Sequence, residues 1–188
     1  MCNDWKSHPI DSSIDVSVLR FHILDACDHL IFSDALSLDI ERIKEADIGL
    51  GDEVFIAGLF KHHHGDSKNI PIIRIGNLAA MGEEKVETTE YGKIDAFLIE
   101  ARSIGGLSGS PVFVNLGIAR AIKGKVKFAE SGRPIFYFLG LIHGHYDVSY
   151  SDVDLDVEGQ NQINTGIAIV VPFSKINNVI EEIEKIER

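Results

Sequence analysis

The sequence predicts an all-β protein, a barrel or a sandwich, finished by one C-terminal α-helix. Two observations carry that prediction. Short β-type runs recur along the chain, each bounded by Gly, Asp, Asn or Pro. Only the last fifteen residues show a clear 3.6-residue apolar period, with Ile176, Val179, Ile180, Ile183 and Ile186 on one face. There is no internal repeat, low-complexity tract or long flexible linker.

In chain order, the runs that read as strands are Ile14–Leu24, Glu53–Phe60, Ile70–Ala79, Ile94–Ala101, Ser110–Asn115, Ile135–Tyr146 and Thr165–Val171, with weaker hairpin arms over Ile118–Phe128. Gly51 and Asp52 supply turn chemistry before the second strand, and Gly132, Arg133 and Pro134 do so before Ile135. Asp39–Ala46 reads as a helical turn or a surface connector. Ser174–Arg188 reads as the helix, with the Ser174 hydroxyl placed to cap it. The acidic, polar stretch Val148–Asn164 reads as an exposed loop. Its alternating aspartates lack the Gly and Glu positions of a helix–loop–helix calcium site.

The chain has 188 residues, 45% hydrophobic and 25% charged, which excludes wholesale disorder. Its net charge of −11 argues against nucleic acid or an anionic membrane surface as partner, because both need a basic face. No apolar run is long enough to span a bilayer, and the first residues lack a signal peptide's basic start and apolar stretch. Cys2 and Cys27 cannot build a disulfide framework or a four-thiolate zinc site. Free thiols and a cytoplasmic location are the expectation, with no metal and no cofactor.

The stretch richest in chemistry is Ser103–Asn115, SIGGLSGSPVFVN. It sets Ser108 in a glycine-rich bend between two predicted strands. Such a bend can project the Ser108 hydroxyl while the Gly106 and Ser108 N–H groups converge on one point, as an oxyanion requires. The same residues also suit an ordinary hairpin turn. Elsewhere, His62, His63 and His64 read as an incidental surface loop. His143 and His145 fall on one face of their strand by alternation, either shaping a pocket or serving structure.

GLSGSPV is similar to the nucleophile motif of chymotrypsin-like (trypsin-fold) serine peptidases, and other segments agree in order. IDVSVLRF, Ile14–Phe21, resembles that family's strand bearing the triad aspartate, and Asp15 and Ser108 stand 93 residues apart. GDEVFIAGL and PIIRIGNLA resemble the first hairpin of the C-terminal barrel in bacterial trypsin-like peptidases. LGLIHGH resembles the strand lining the substrate cleft, and TGIAIVVP the closing strand before the helix.

The resemblance implies a C-terminal six-stranded β-barrel of a double-barrel fold, with only the last strand or two of the N-terminal barrel and a C-terminal helix. Residues 1–47 would be the remnant and connector, 48–172 the barrel with its nucleophile loop, and 173–188 the helix packed on it. Ser108 would be the nucleophile, Asp15 the triad acid, and Gly106 with Ser108 the oxyanion donors. Arg102, Leu141, His143 and His145 would border the bound peptide, an inward Arg102 favouring acidic side chains.

One departure from the pattern is large. The base histidine should lie upstream of Asp15, yet only His8 precedes it, too close to come from the expected strand–turn. The resemblance therefore implies an N-terminally incomplete endopeptidase, nearly inert as written, since loss of one triad member leaves only about 10³–10⁴-fold acceleration over water. It also implies an exposed barrel face for a partner to cover. The alternative is a non-catalytic module that binds a peptide or protein in the same cleft.

Overall fold

The computed structural model describes residues 5–26, 29, 31–59, 68–82, 84–88, 91–101, 106–129, 132–133, 135–149 and 162–188, with backbone alone at 147–149 and 162–164. Expectations for Cys2, Cys27, His62, His63, His64, Arg102 and the heart of the acidic loop lie outside them.

Six antiparallel strands close into one barrel. They are β3 (Glu53–Leu59), β4 (Pro71–Met81), β7 (Phe97–Glu100), β8 (Pro111–Gly117), β11 (Ile135–Ser149) and β12 (Gln162–Pro172). Around the barrel the order is β11-β12-β7-β4-β3-β8 and back to β11. Closure leaves no open sheet edge among these strands. Period-two alternation fills the interior, so Val54 and Ile56 of β3 and Val112 and Val114 of β8 are fully buried, with Leu139, Ile99 and Val170 among them.

The opposite face of the same strands carries aromatic rings. Phe55 lies opposite Phe113, and Phe113 opposite Phe138, across β3, β8 and β11. The Phe55 and Phe113 rings stack at 4.9 Å. Phe32 roofs this row, 5.5 Å from Phe113 and 5.7 Å from Phe138. Leu38 donates its amide to the Phe138 carbonyl, which fixes the connector from the N-terminal segment to the barrel wall.

Minor elements attach to this frame. β5 (Val86–Thr88) and β6 (Gly92–Ile94) form a hairpin absent from the sequence reading, and β9 (Ala119–Ile122) pairs with β10 (Lys125–Phe128) where weak arms were expected. α1 (Ile40–Glu45) settles the helix-or-connector question for Asp39–Ala46, because the Asp39 carboxylate caps its first turn by accepting from the Arg42 amide at 2.7 Å. Strand pairing reaches into the stretch Val148–Asn164 expected as a loop, since Val148 pairs with Ile163 and Ser149 with Gln162.

Two sequence expectations need correction. The run Ile14–Leu24 is a strand only at β2 (Ser17–Val18), paired with β1 (Lys6–Ser7). β propensity cannot make a ladder where no partner backbone lies alongside, and Phe21 and Leu24 stand exposed. α2 (Phe173–Glu187) starts one residue early, with Pro172 at the cap position and no side-chain cap bond. Pro172, still paired with Gly140, has φ −63° and leads straight into the helix, so Ser174 sits inside the first turn. The expected apolar face is real but tapers. Ile176 and Val179 are buried, whereas Ile186 is exposed.

α2 clamps the N-terminal segment. Ile14 and Val16 pack with Ile176, Val179 and Val171 in a second apolar cluster. Lys175 binds Asp95 at 2.7 Å, and that hydrogen bond holds the Asp95 carboxyl below the ordinary aspartate range. A lowered folded-state pKa stabilises the protein above the unfolded value of about 3.9 and is lost as pH falls through the folded one. Lys175→Met is therefore expected to lower the urea midpoint at pH 7 and leave it unchanged near pH 2. With Asp95 47% exposed, the effect at neutral pH is at most about 1 kcal/mol.

A better shielded pair ties the barrel's entry to β9. The Arg120 guanidinium grips Asp52 through two bonds of 2.8 and 2.6 Å and also donates to the Asp47 carbonyl. Asp52 in turn accepts the Gly49 amide at 2.9 Å. Both side chains are about one-fifth exposed, and the bidentate geometry is the strong form of this contact. Arg120→Met is expected to cost about 2 kcal/mol in urea denaturation, between the values for exposed and buried pairs.

Candidate active site

The Ser108 bend is built by backbone geometry. Ser110 donates its amide to the Leu107 carbonyl at 2.9 Å, closing a four-residue turn with Ser108 and Gly109 at its centre. Gly109 has φ +80°, the left-handed conformation that the third position of a type II turn demands. Leu107 and Ser110 are buried and anchor the bend, while Ser108 is exposed. Their packing needs Gly58 on β3, where a Cβ would lie 2.6 Å from Ser110 Oγ and 2.8 Å from Leu107 Cδ2. Gly106 has φ +104°. Among the described residues, the Gly106 and Ser108 amides donate to no other group.

The bend is stitched to β11 immediately before His143. Gly109 donates to the Ile142 carbonyl at 2.7 Å, and the Ile142 amide donates to the Ser110 carbonyl at 2.9 Å. These bonds continue the ladder in which Leu141 faces Pro111. His143 is thus the residue after the one that clamps the Ser108 turn.

Asp15 arrives from the far end of the chain. The Val16 amide donates to the Ile14 carbonyl at 2.9 Å, a tight three-residue turn that puts the exposed Asp15 at its apex while Ile14 and Val16 are buried against α2. Asp15 meets His143, whose Nδ1 donates to Asp15 Oδ2 at 2.9 Å. Tyr91, from the β5–β6 turn, donates its hydroxyl to Asp15 Oδ1 at 3.1 Å and sets its ring edge-on to the imidazole at 5.5 Å. The His143 side chain is 11% exposed and that of Asp15 43%.

The structure therefore brings Asp15, His143 and the Ser108 bend together. Leu141, expected at the cleft, packs partly buried against the Ile14–Val16–α2 cluster. β11 shifts register against β12 between Ile142 and Gly144 and again between His145 and Asp147, so simple alternation does not govern where His143 and His145 point. Among the described residues, no three His, Cys, Asp or Glu side chains gather as metal ligands. Sequence reasoning missed Tyr91 altogether and did not pair His143 with Asp15. Those contacts span 76 and 128 residues, and no local signal announces them.

His8 is committed to structure. Its Nδ1 accepts from the Ile10 and Asp11 amides at 3.2 and 2.8 Å, and its Nε2 donates to Asn178 Oδ1 at 2.8 Å. A separate cavity of about 800 Å³ opens between the β5–β6 hairpin and the wall of β4, β7 and β12. Its lining includes none of Asp15, Ser108 or His143.

No protein-family model, curated protein or solved structure matches this chain. Among the described residues, no helix is long and apolar enough to cross a membrane.

Proposed function

We propose that the chain is a homologue of trypsin-like serine endopeptidases, its closed barrel the C-terminal one of a double-barrel fold, with Ser108 as the nucleophile toward a peptide carbonyl. One observation carries this reading. Asp15, the residue matching the triad acid, reaches an imidazole on the strand that clamps the Ser108 bend, across 128 residues of chain. The exposed serine and the Gly106 and Ser108 amides, which donate to no group among the described residues, support it, since acyl transfer needs a projecting hydroxyl and donors for the oxyanion. The ligand is a peptide or protein substrate, with no cofactor, and the expected setting is the cytoplasm.

The second reading is a peptide-binding module of the same fold. It is favoured by the state of Asp15, both of whose oxygens are already bonded, one to Tyr91 and one to His143. A histidine supplied by another chain or segment would have to share the carboxylate with both of them.

Incubation with an unfolded protein such as casein, followed by mass spectrometry of the products, separates the two. The peptidase reading expects new chain termini with the wild type and none with Ser108→Ala. Peptides retained but never cut by the wild type would establish the binding module instead.

A further inference from the structure

We infer that His143, from within the barrel and oriented by Asp15, is the general base that activates Ser108. This rests on the reading of Ser108 as nucleophile and adds the group which that reading lacked. The resemblance places the base upstream of Asp15, and His8, which lies there, has both nitrogens engaged elsewhere. Among the described histidines, His143 is the one bonded to Asp15.

Three features fit the role. First, a carboxylate only accepts hydrogen bonds, so the contact with Asp15 Oδ2 places a proton on Nδ1 and leaves the Nε2 lone pair of the neutral ring to receive another. Second, the ring is held in place. Asp15 takes one edge, the Tyr91 ring packs edge-on, and 89% of the side chain's surface is covered, matching the 11% exposure. Third, the bonds from Gly109 and to Ser110 fix Ile142 against the Ser108 turn, so Ser108, in the turn leading into β8, and His143, on β11, flank one clamped position. The chain order is then Asp15, Ser108, His143. Serine triads on unrelated folds already occur in several orders, because geometry and not sequence position defines them.

The chemistry balances with water as the only co-reactant. Ser108 Oγ bonds to the substrate carbonyl carbon while its proton passes to His143 Nε2, and the oxyanion rests on the Gly106 and Ser108 amides. The carbon–nitrogen bond breaks as Nε2 returns that proton to the departing amine. Water then adds to the acyl carbon, giving its proton to Nε2. Finally the acid leaves as Oγ departs and recovers the proton. Asp15 stays ionised throughout and stabilises the transient imidazolium.

The test uses a fluorophosphonate, whose phosphorus bonds to Oγ with loss of fluoride. The adduct is located by peptide mass and its rate measured on the full chain. Wild type is expected to form one adduct, on Ser108, and Ser108→Ala none. His143→Ala and His143→Gln should react at least about 100-fold more slowly, the scale of a lost general base. Added imidazole should restore His143→Ala, which leaves the ring's space open, and not His143→Gln, which fills it. Should His143→Ala fail to fold, the rate of His143→Gln decides.

Undiminished Ser108 labelling in either variant would overturn His143 as base and leave Ser108 as nucleophile standing. A slow His143→Ala that imidazole does not rescue would also overturn it, reducing His143 to a packing role. No adduct on Ser108 in the wild type would remove both readings together.

Discussion

Asp15→Asn is expected to slow phosphonylation of Ser108 by about three to four orders of magnitude, the scale seen when a triad aspartate becomes an amide. The reason lies in counting acceptors. Tyr91 Oη and His143 Nδ1 each donate to a separate oxygen of Asp15. An asparagine offers one oxygen and one NH₂, so it can satisfy only one of those donors. If the oxygen goes to Tyr91, the NH₂ faces Nδ1 and drives the imidazole proton to Nε2, which abolishes its use as a base. Adding Tyr91→Phe to Asp15→Asn frees the oxygen to turn toward His143, and part of the rate should return. An Asp15→Asn protein that labels at the wild-type rate would show that the contact has no catalytic role.

Gly140→Ala is expected to open the barrel, with a loss of more than about 3 kcal/mol in urea denaturation followed by circular dichroism. A Cβ at Gly140 would sit 1.9 Å from the Val171 carbonyl oxygen and 2.9 Å from its carbon. Those atoms are backbone, fixed in the β11–β12 seam where Gly140 faces Pro172, and no rotamer change can move them aside. Relief requires the two strands to part, and parting one seam ends closure of the whole sheet. Gly144→Ala, on the same strand with nothing within 4 Å of its Cβ, is the control and should be neutral or slightly stabilising. Equal stability of both variants would show that the seam tolerates separation.

Much of the fold was legible because the signals behind it are local. Val54, Ile56, Val112 and Val114 alternate with outward residues, and that period survives in the closed barrel. The apolar spacing that includes Ile176 and Val179 made α2 certain in kind, while Asp39–Ala46 read equally as a helical turn or a connector until the structure showed α1. Ile14–Leu24 shows where such reading stops. Its composition is that of a strand, but a strand exists only if another backbone takes up its hydrogen bonds, and most of this run meets none. The cap of α2 lies two residues before the expected Ser174 for a similar reason, since the backbone angle of Pro172 took precedence over the Ser174 hydroxyl.

For the candidate site, the division falls between bend and partners. The residues of GLSGSP carried enough information to pick out Ser108 and its glycines, because turn chemistry depends on a few consecutive backbone angles. Asp15 could be picked out as well, by its place in a recognisable run. Its partners could not. His143 meets Asp15 only because α2 buries Ile14 and Val16, because the β5–β6 turn carries Tyr91 to the same carboxylate, and because Gly109 and Ser110 fasten β11 beside the bend. The sequence by itself thus determined the strands, the helix and the serine turn, each encoded by neighbours in the chain. Tertiary structure alone decided which histidine the aspartate holds, since that contact depends on the burial of side chains remote from both residues and not on any spacing along the chain.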